Sequence, residues 1–61
     1  MLFLIHRKNY HIQYFGIFDA SEREKVNDLR LSLELKNRND EVVILEANSL
    51  SALRKTHGRY F

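Results

Sequence analysis

The chain has 61 residues, a formal net charge of +2 at pH 7 and no cysteine. A chain this short forms one domain that buries only about 60% of the surface its unfolded form exposes, so its stability is marginal unless association enlarges the core. The absence of cysteine excludes disulfides and argues against structural zinc. The apolar start MLFLI is too short for a membrane span and lacks the features of a signal peptide, so we expect a cytoplasmic protein with no membrane partner.

Two segments near the start of the chain predict a β-hairpin. MLFLIH, residues 1–6, is a continuous apolar run, which is typical of a strand buried on both faces. IQYFGIF, residues 12–18, is rich in β-branched and aromatic residues and predicts a second strand. RKNYH between them predicts the turn, because Asn9 tolerates the left-handed backbone conformation. Gly16 indicates a bulge or a close approach of another backbone.

The segment LRLSLELK, residues 29–36, has leucine at every second position, which by period alone predicts a half-buried strand. Helix-start signals precede it, because Asp19 and Ser21 each begin a capping box with the glutamate three residues later. The residues between the leucines favour a helix, and the β-branched types that a strand prefers are absent there. We therefore predict a helix from Ala20 to Asn37.

The predicted helix carries two apolar stripes. Val26, Leu29 and Leu33 share one helical face and form what we call the inner stripe. At roughly 100° per residue, Leu31 and Leu35 lie on the side away from it and form the outer stripe. A single small sheet covers only one stripe, so we expect the outer stripe to bind a second copy or another protein. The alternative is that the terminal helix folds over it.

The remainder of the chain predicts a strand and a short helix. EVVILEA, residues 41–47, is the clearest strand in the chain, and it follows the turn NRND. NSLSALRKTHG predicts a terminal helix that Asn48 or Ser49 caps and its glycine ends. Leu50 and Leu53 are expected to face inward.

The element order ββαβα predicts an α+β fold for a single domain, residues 1–61. A right-handed crossover through the long helix leaves the second and third strands parallel to each other. The first strand is the most apolar and belongs in the middle. The prediction is a three-stranded sheet of order 2-1-3 in a split βαβ arrangement, with the long helix on one face and the terminal helix over part of the other.

Basic residues concentrate near the hairpin turn and in the last eight residues, RKTHGRYF, where no acidic residue occurs. We predict that these segments act, if at all, as an electrostatic contact surface. A nucleic acid is the alternative partner, since basic side chains contact phosphates and a tyrosine can stack on a base. The candidate residues are Arg7, Lys8, Tyr10, Arg54, Lys55, Arg59 and Tyr60.

HRKNYH, residues 6–11, groups the side-chain types that metal-independent ribonucleases use for proton transfer and charge stabilisation. A solvated hairpin turn accounts for the same residues without chemistry. A metal would require His6, His11 and His57 to meet a carboxylate, and their spacing matches no common metal motif.

No motif identifies a family, and we predict no cofactor, metal or catalytic residue. We expect a small non-enzymatic binding protein (an inhibitor, adaptor or regulator) that acts through protein–protein contacts, as a dimer or within a larger complex. The alternatives are a nucleic-acid-binding protein and a small ribonuclease-type toxin.

Overall fold

The structure, a computed structural model, describes residues 1–58, and its elements follow the predicted order. Three strands, two helices and a 3₁₀ turn make up the fold: β1 (Leu2–Lys8), β2 (His11–Phe18), the turn Ala20–Glu22, α1 (Arg23–Lys36), β3 (Glu41–Glu46) and α2 (Leu50–Thr56). The α+β fold class is therefore confirmed.

The sheet has the predicted order, with β1 between β2 and β3. β1 pairs antiparallel with each neighbour, so the two outer strands run parallel to each other, as the split βαβ arrangement requires. The register places Leu4 of β1 between Gly16 of β2 and Ile44 of β3. Because side chains alternate along a strand, these three residues lie on the same face of the sheet.

The core lies on both faces of β1. The inner stripe of α1 packs over Leu2 and Leu4, and the cluster there consists of Leu2, Leu4, Phe18, Val26, Leu29, Leu33, Val42 and Ile44. Phe3 and Ile5 point to the opposite face and are also fully buried. The ring of Phe3 lies 5.9 Å from the ring of Phe15. α2 buries Leu53 completely, outside the cluster under α1.

The β1–β2 hairpin turns through only two residues, Asn9 and Tyr10, with φ angles of 53° and 69°. Positive φ at both positions is what a two-residue type I′ loop requires. Asn9 was predicted to adopt this conformation, which is uncommon for a bulky residue such as Tyr10. Because the turn is so short, Arg7 and Lys8 belong to β1 and not to the turn.

The segment LRLSLELK is helical, as predicted. α1 begins three residues later than predicted, because Ala20–Glu22 forms a 3₁₀ turn capped by Asp19. The Asp19 carboxylate accepts hydrogen bonds from the Ser21 hydroxyl and, at 3.0 Å, from the Ser21 N–H. These bonds hold the pKa of Asp19 below its ordinary value. Neither predicted capping box forms, because the Asp19 carboxylate bonds to Ser21 instead of Glu22 and the start of α1 has no side-chain cap. Asn37 ends α1 by donating its backbone N–H to the Leu33 carbonyl.

Gly16 does not form the bulge that its position in a strand suggested. The irregularity in the β1–β2 pairing lies at Gln13, which falls between the paired positions. At Gly16, two aromatic rings occupy the space of a side chain. A Cβ atom there would lie 2.6 Å from the Phe18 ring and 2.8 Å from the Tyr14 hydroxyl.

The start of α2 follows the prediction only in part. Ser49 caps it, and its hydroxyl oxygen accepts a hydrogen bond of 3.1 Å from the Ala52 N–H. Leu53 faces inward, but Leu50 is 39% exposed, so its predicted inward orientation is wrong. A helix of seven residues presents only one short side to the protein, and Leu53 occupies that side.

Candidate functional site

The outer stripe of α1 is open to solvent. Leu31 and Leu35 are 51% and 63% exposed, whereas Val26 of the inner stripe is fully buried. The two exposed leucines lie one helical turn apart, so their side chains are neighbours on the helix surface. α2 buries its own Leu53 elsewhere and leaves both of them exposed. The terminal helix therefore does not fold over the outer stripe.

Acidic and polar residues continue the outer stripe toward the start of α1. Positions three, four and seven residues before Leu31 share its side of the helix. They hold Asp28, Asn27 and Glu24, all of which are exposed. The outer side of α1 is therefore apolar toward its end and acidic toward its beginning.

Arg7, a candidate for a basic contact surface, is tied to β3. Its guanidinium donates hydrogen bonds from Nε and one terminal nitrogen to Oε1 of Glu41, with the Nε bond at 3.0 Å. Its Cζ atom lies 5.8 Å from the ring centre of Tyr10, a side chain that is 88% exposed. The structure thus brings Arg7 and Tyr10 together, but Glu41 compensates the arginine charge. Lys8 is exposed beside them.

A polar hollow of about 250 Å³ opens at this end of the sheet. Its lining combines the hairpin turn with the loop before β3 and consists of Arg7, Asn9, Tyr10, Asn39 and Glu41. Among the described lining residues, the cation Arg7 and the anion Glu41 are paired with each other. These described residues therefore offer hydrogen-bonding groups and a compensated pair of charges.

The second basic segment is only partly described. Arg54 and Lys55 lie in the last turn of α2, where positive charge is favourable to the helix dipole, and both are exposed. Arg59 and Tyr60 fall outside the described residues. Arg7 and Lys8 belong to a different element, at the hairpin end of β1.

The two imidazoles of HRKNYH have different surroundings. His6 is 7% exposed, and its Nε2 lies 2.8 Å from Oδ2 of Asp40. Asp40 sits in the turn before β3, where its N–H donates to the Asn37 carbonyl at 3.0 Å. The His6–Asp40 contact therefore ties that turn to the central strand. His11 is exposed at the start of β2.

Asp40 and Glu41 are the site residues that sequence reasoning missed. Each contacts a residue 34 positions earlier in the chain, so no local pattern reports the pairing. The predicted sheet order was the available signal for these contacts. With β1 in the middle and antiparallel to β3, the end of β1 lies beside the start of β3, where Asp40 and Glu41 are. Within residues 1–58, no group of three or more histidine or acidic side chains is arranged to hold a metal ion. No helix in the same residues is both long and apolar enough to cross a membrane.

No family model, curated protein or solved structure matches the chain.

Proposed function

We propose that this protein is a small non-enzymatic binding protein (an inhibitor, adaptor or regulator) that captures a partner protein through the outer stripe of α1. The observation that supports this is the exposure of Leu31 and Leu35, 51% and 63%, on a helix whose other side closes the core. Apolar side chains one helical turn apart suit the helix-in-groove mode of recognition, in which they enter a hydrophobic groove of the partner.

The size of the chain favours such an association. A domain of 61 residues gains little stability from its own core. A partner that binds only the folded chain adds the free energy of binding to that stability. Leu31 and Leu35 stay exposed in the monomer, so their apolar surface leaves water only on binding and then contributes to the free energy of association.

The charge on the outer side of α1 specifies the partner further. Glu24 and Asp28 precede the leucines on the same side of the helix. The partner should therefore present an apolar groove with basic residues at one end. Such charge complementarity accelerates association and orients the helix in its groove, and salt weakens it.

The test is an affinity purification from the native host with three forms of the protein as bait: the wild type, Leu31→Lys with Leu35→Lys, and Leu50→Lys. Leu50 is an exposed leucine on α2, so its variant controls for placing a lysine at an exposed leucine outside the outer stripe. We expect one host protein to co-purify in stoichiometric amount with the wild type and with Leu50→Lys, and to be lost from the double variant. Circular dichroism verifies that all three are folded. Equal recovery of that protein with all three baits would refute the proposal.

The exposed basic side chains are proposed as a secondary, electrostatic contact. Lys8 and Lys55 are exposed on β1 and α2. Changing both to glutamine should slow association with the captured partner and flatten its salt dependence, as expected for charges that steer an encounter. If neither quantity changes, these side chains serve only solubility.

The same preparations separate the two alternatives. Retention on nucleic acid that falls steeply with salt and ignores the Leu31 and Leu35 changes would favour a nucleic-acid-binding protein. Growth arrest on expression would favour a ribonuclease-type toxin if His11→Ala abolished it. His11 is the better histidine to change, because it is exposed, whereas changing His6 would also disturb a buried contact.

A further inference from the structure

The two outer strands of the sheet present different edges. β3 has six residues with a glutamate at each end, and both glutamates form ion pairs, Glu41 with Arg7 and Glu46 with Arg23. β2 has eight residues, HIQYFGIF, and contains no lysine, arginine, acidic residue or proline. Short length, charge and proline are the usual means by which proteins prevent an edge strand from pairing with another chain. β3 carries charge at both ends, whereas β2 has none of these means.

Three large apolar or aromatic side chains along β2 are exposed. Ile12, Tyr14 and Ile17 are 38%, 41% and 49% exposed. In the part of the chain that the structure describes, no strand pairs with β2 on the side away from β1. An uncharged edge with apolar side chains beside it is a template for a further strand.

We propose that β2 pairs antiparallel with β2 of a second copy, across a two-fold axis at Gly16, and joins the two sheets into one of six strands. The register places Tyr14 opposite Phe18 of the second copy, and Phe15 opposite its Ile17. Each pair joins an aromatic ring to another apolar side chain, which is a favourable combination across antiparallel strands. The paired segment, residues 14–18, excludes the irregularity at Gln13.

This register keeps every side chain on its own face of the sheet. Pairing within the hairpin places Tyr14 and Phe18 opposite His6 and Leu2, on the face that α1 covers. Phe15 and Ile17 are opposite Ile5 and Phe3, on the other face. Opposite residues in an antiparallel pair lie on the same face of the sheet. Across the axis, side chains on the α1 face therefore meet only side chains on that face, and the same holds for the other face.

Self-complementarity favours a second copy as the occupant. A two-fold axis brings identical strands together, so the paired segment must be complementary to itself in charge and in side-chain type. The paired segment of β2 carries no charge, and its pairing with itself is therefore free of repulsion.

Gly16 suits the position at the axis. It has no side chain, and the Tyr14 and Phe18 rings already lie over it at distances that leave no room for a Cβ atom. In the dimer the equivalent rings of both copies would meet beside the axis. Their contact would shield this part of the new sheet from water.

The dimer does not depend on the proposed function. A two-fold axis perpendicular to the sheet sets both copies of α1 on the same side. The outer stripe, which points away from the sheet, stays exposed in each copy. A dimer built through β2 would therefore present two partner-binding helices side by side, and failure of either proposal leaves the other intact.

Sedimentation velocity over a concentration series tests the dimer with Ile17→Lys and, as control, Leu31→Lys with Leu35→Lys. Ile17 is 49% exposed, so the monomer tolerates lysine there, and the charge opposes strand pairing. We expect a monomer–dimer equilibrium for the wild type and the control, and an association at least about tenfold weaker for Ile17→Lys. A strictly monomeric wild type at about 1 mM would overturn the proposal. So would a dimer that Ile17→Lys leaves unchanged, or one that only the control variant abolishes, since that result would place the interface on α1.

A second measurement needs no variant and tests the register. In a mixture of ¹⁵N-labelled and ¹³C-labelled protein, nuclear Overhauser contacts between Phe15 of one copy and Ile17 of the other are expected. Their absence in a sample that sedimentation shows to be dimeric would overturn the β2 interface.

Discussion

The two sides of α1 carry leucines with opposite surroundings. Leu29 and Leu33 pack in the cluster over the sheet, whereas Leu31 and Leu35 are 51% and 63% exposed. All four have the same helix propensity and lie in the same helix, so only their position around its axis distinguishes them. The comparison separates what the helix needs to fold from what it leaves for binding. We expect the same contrast for polar contacts: those on the face of the sheet that α1 covers should stabilise the fold more than those exposed to solvent.

The largest effect is expected from Leu29→Lys with Leu33→Lys. For a domain of this size, a total stability of about 3–9 kcal/mol follows from the usual range per residue. Two ammonium groups placed under α1 would be unpaired beside an apolar cluster, and a penalty of several kcal/mol per ion is comparable with this range. We therefore expect the double variant to be unfolded by circular dichroism at 25 °C.

The matched control on the other side of the helix is Leu31→Lys with Leu35→Lys. Surface substitutions usually change the free energy of unfolding by about 0.5 kcal/mol or less. The control should therefore unfold in urea at nearly the wild-type midpoint. Loss of folding in the control would place the outer stripe in the chain's own core and end the distinction between the two sides.

The helix that carries both stripes could be predicted from local signals, but its beginning could not. Two local signals favoured a helix over the strand that the alternating leucines predict by period alone. One is the helical spacing of Val26, Leu29 and Leu33, and the other is the helix-forming residues between the leucines. At the start of the helix, Asp19 and Ser21 offered two capping boxes of equal quality. In the structure the Ser21 hydroxyl donates a hydrogen bond to the Asp19 carboxylate. The spacing of residues in the sequence does not distinguish this local conformation from either capping box.

The candidate surfaces were predictable to different degrees. The exposure of Leu31 and Leu35 follows from the sequence, because the helix has two apolar stripes and a single small sheet covers only one of them. The open edge of β2 follows from the predicted sheet order and the absence of charge in residues 12–18, both of which can be obtained from the sequence. The partners of His6 and Arg7 depend on the strand register across 34 residues, which the pattern of apolar residues leaves undetermined.

The contact between His6 and Asp40 lies on the face of the sheet that α1 covers. It tests whether a buried polar contact there contributes to the stability of the fold, as the inner stripe does. Asp40→Ala removes the partner of a histidine that is 7% exposed. Leaving a buried polar group unsatisfied costs about 1–3 kcal/mol, so we expect a loss of this size in urea unfolding. Glu34→Ala is the control, because it breaks an ion pair with Arg30 that is partly exposed, and it should cost about 0.3–0.5 kcal/mol. Equal losses for the two variants would contradict the comparison.

Gly16→Ala tests the packing on the same face with a smaller expected effect. The new Cβ atom would lie 2.6 Å from the Phe18 ring, so that ring must move within the cluster under α1. We expect a loss of about 1 kcal/mol, at the low end of the usual cost of overpacking, since the contacting atoms are the outer atoms of rings. Gly58→Ala is the control, because a Cβ atom there meets no atom of the described residues within 4 Å. A thermal midpoint equal to that of the control would show that the rings move without penalty.

The smallest effect is expected on the solvent side, at the cap of the 3₁₀ turn. The Ser21 hydroxyl, and then the Ser21 N–H, hold the pKa of the Asp19 carboxyl below 3.8 by stabilising its charged form. Ser21→Ala removes the hydroxyl and should raise the pKa of Asp19 toward 3.8, which an NMR titration of the side-chain carboxyl measures directly.

The sign of the pH dependence follows from that lowered pKa. A carboxyl whose pKa is lower in the folded state contributes stability above its unfolded pKa and loses it as the pH falls through its folded pKa. The difference in unfolding free energy between the wild type and Ser21→Ala should therefore be constant above the unfolded pKa and shrink as Asp19 becomes protonated. Because Asp19 is fully exposed, the change should be clear in the titration and slight in unfolding, as for the outer stripe. An unchanged pKa of Asp19 in the variant would show that the hydroxyl does not stabilise the carboxylate in solution, and that the cap depends on the backbone N–H alone.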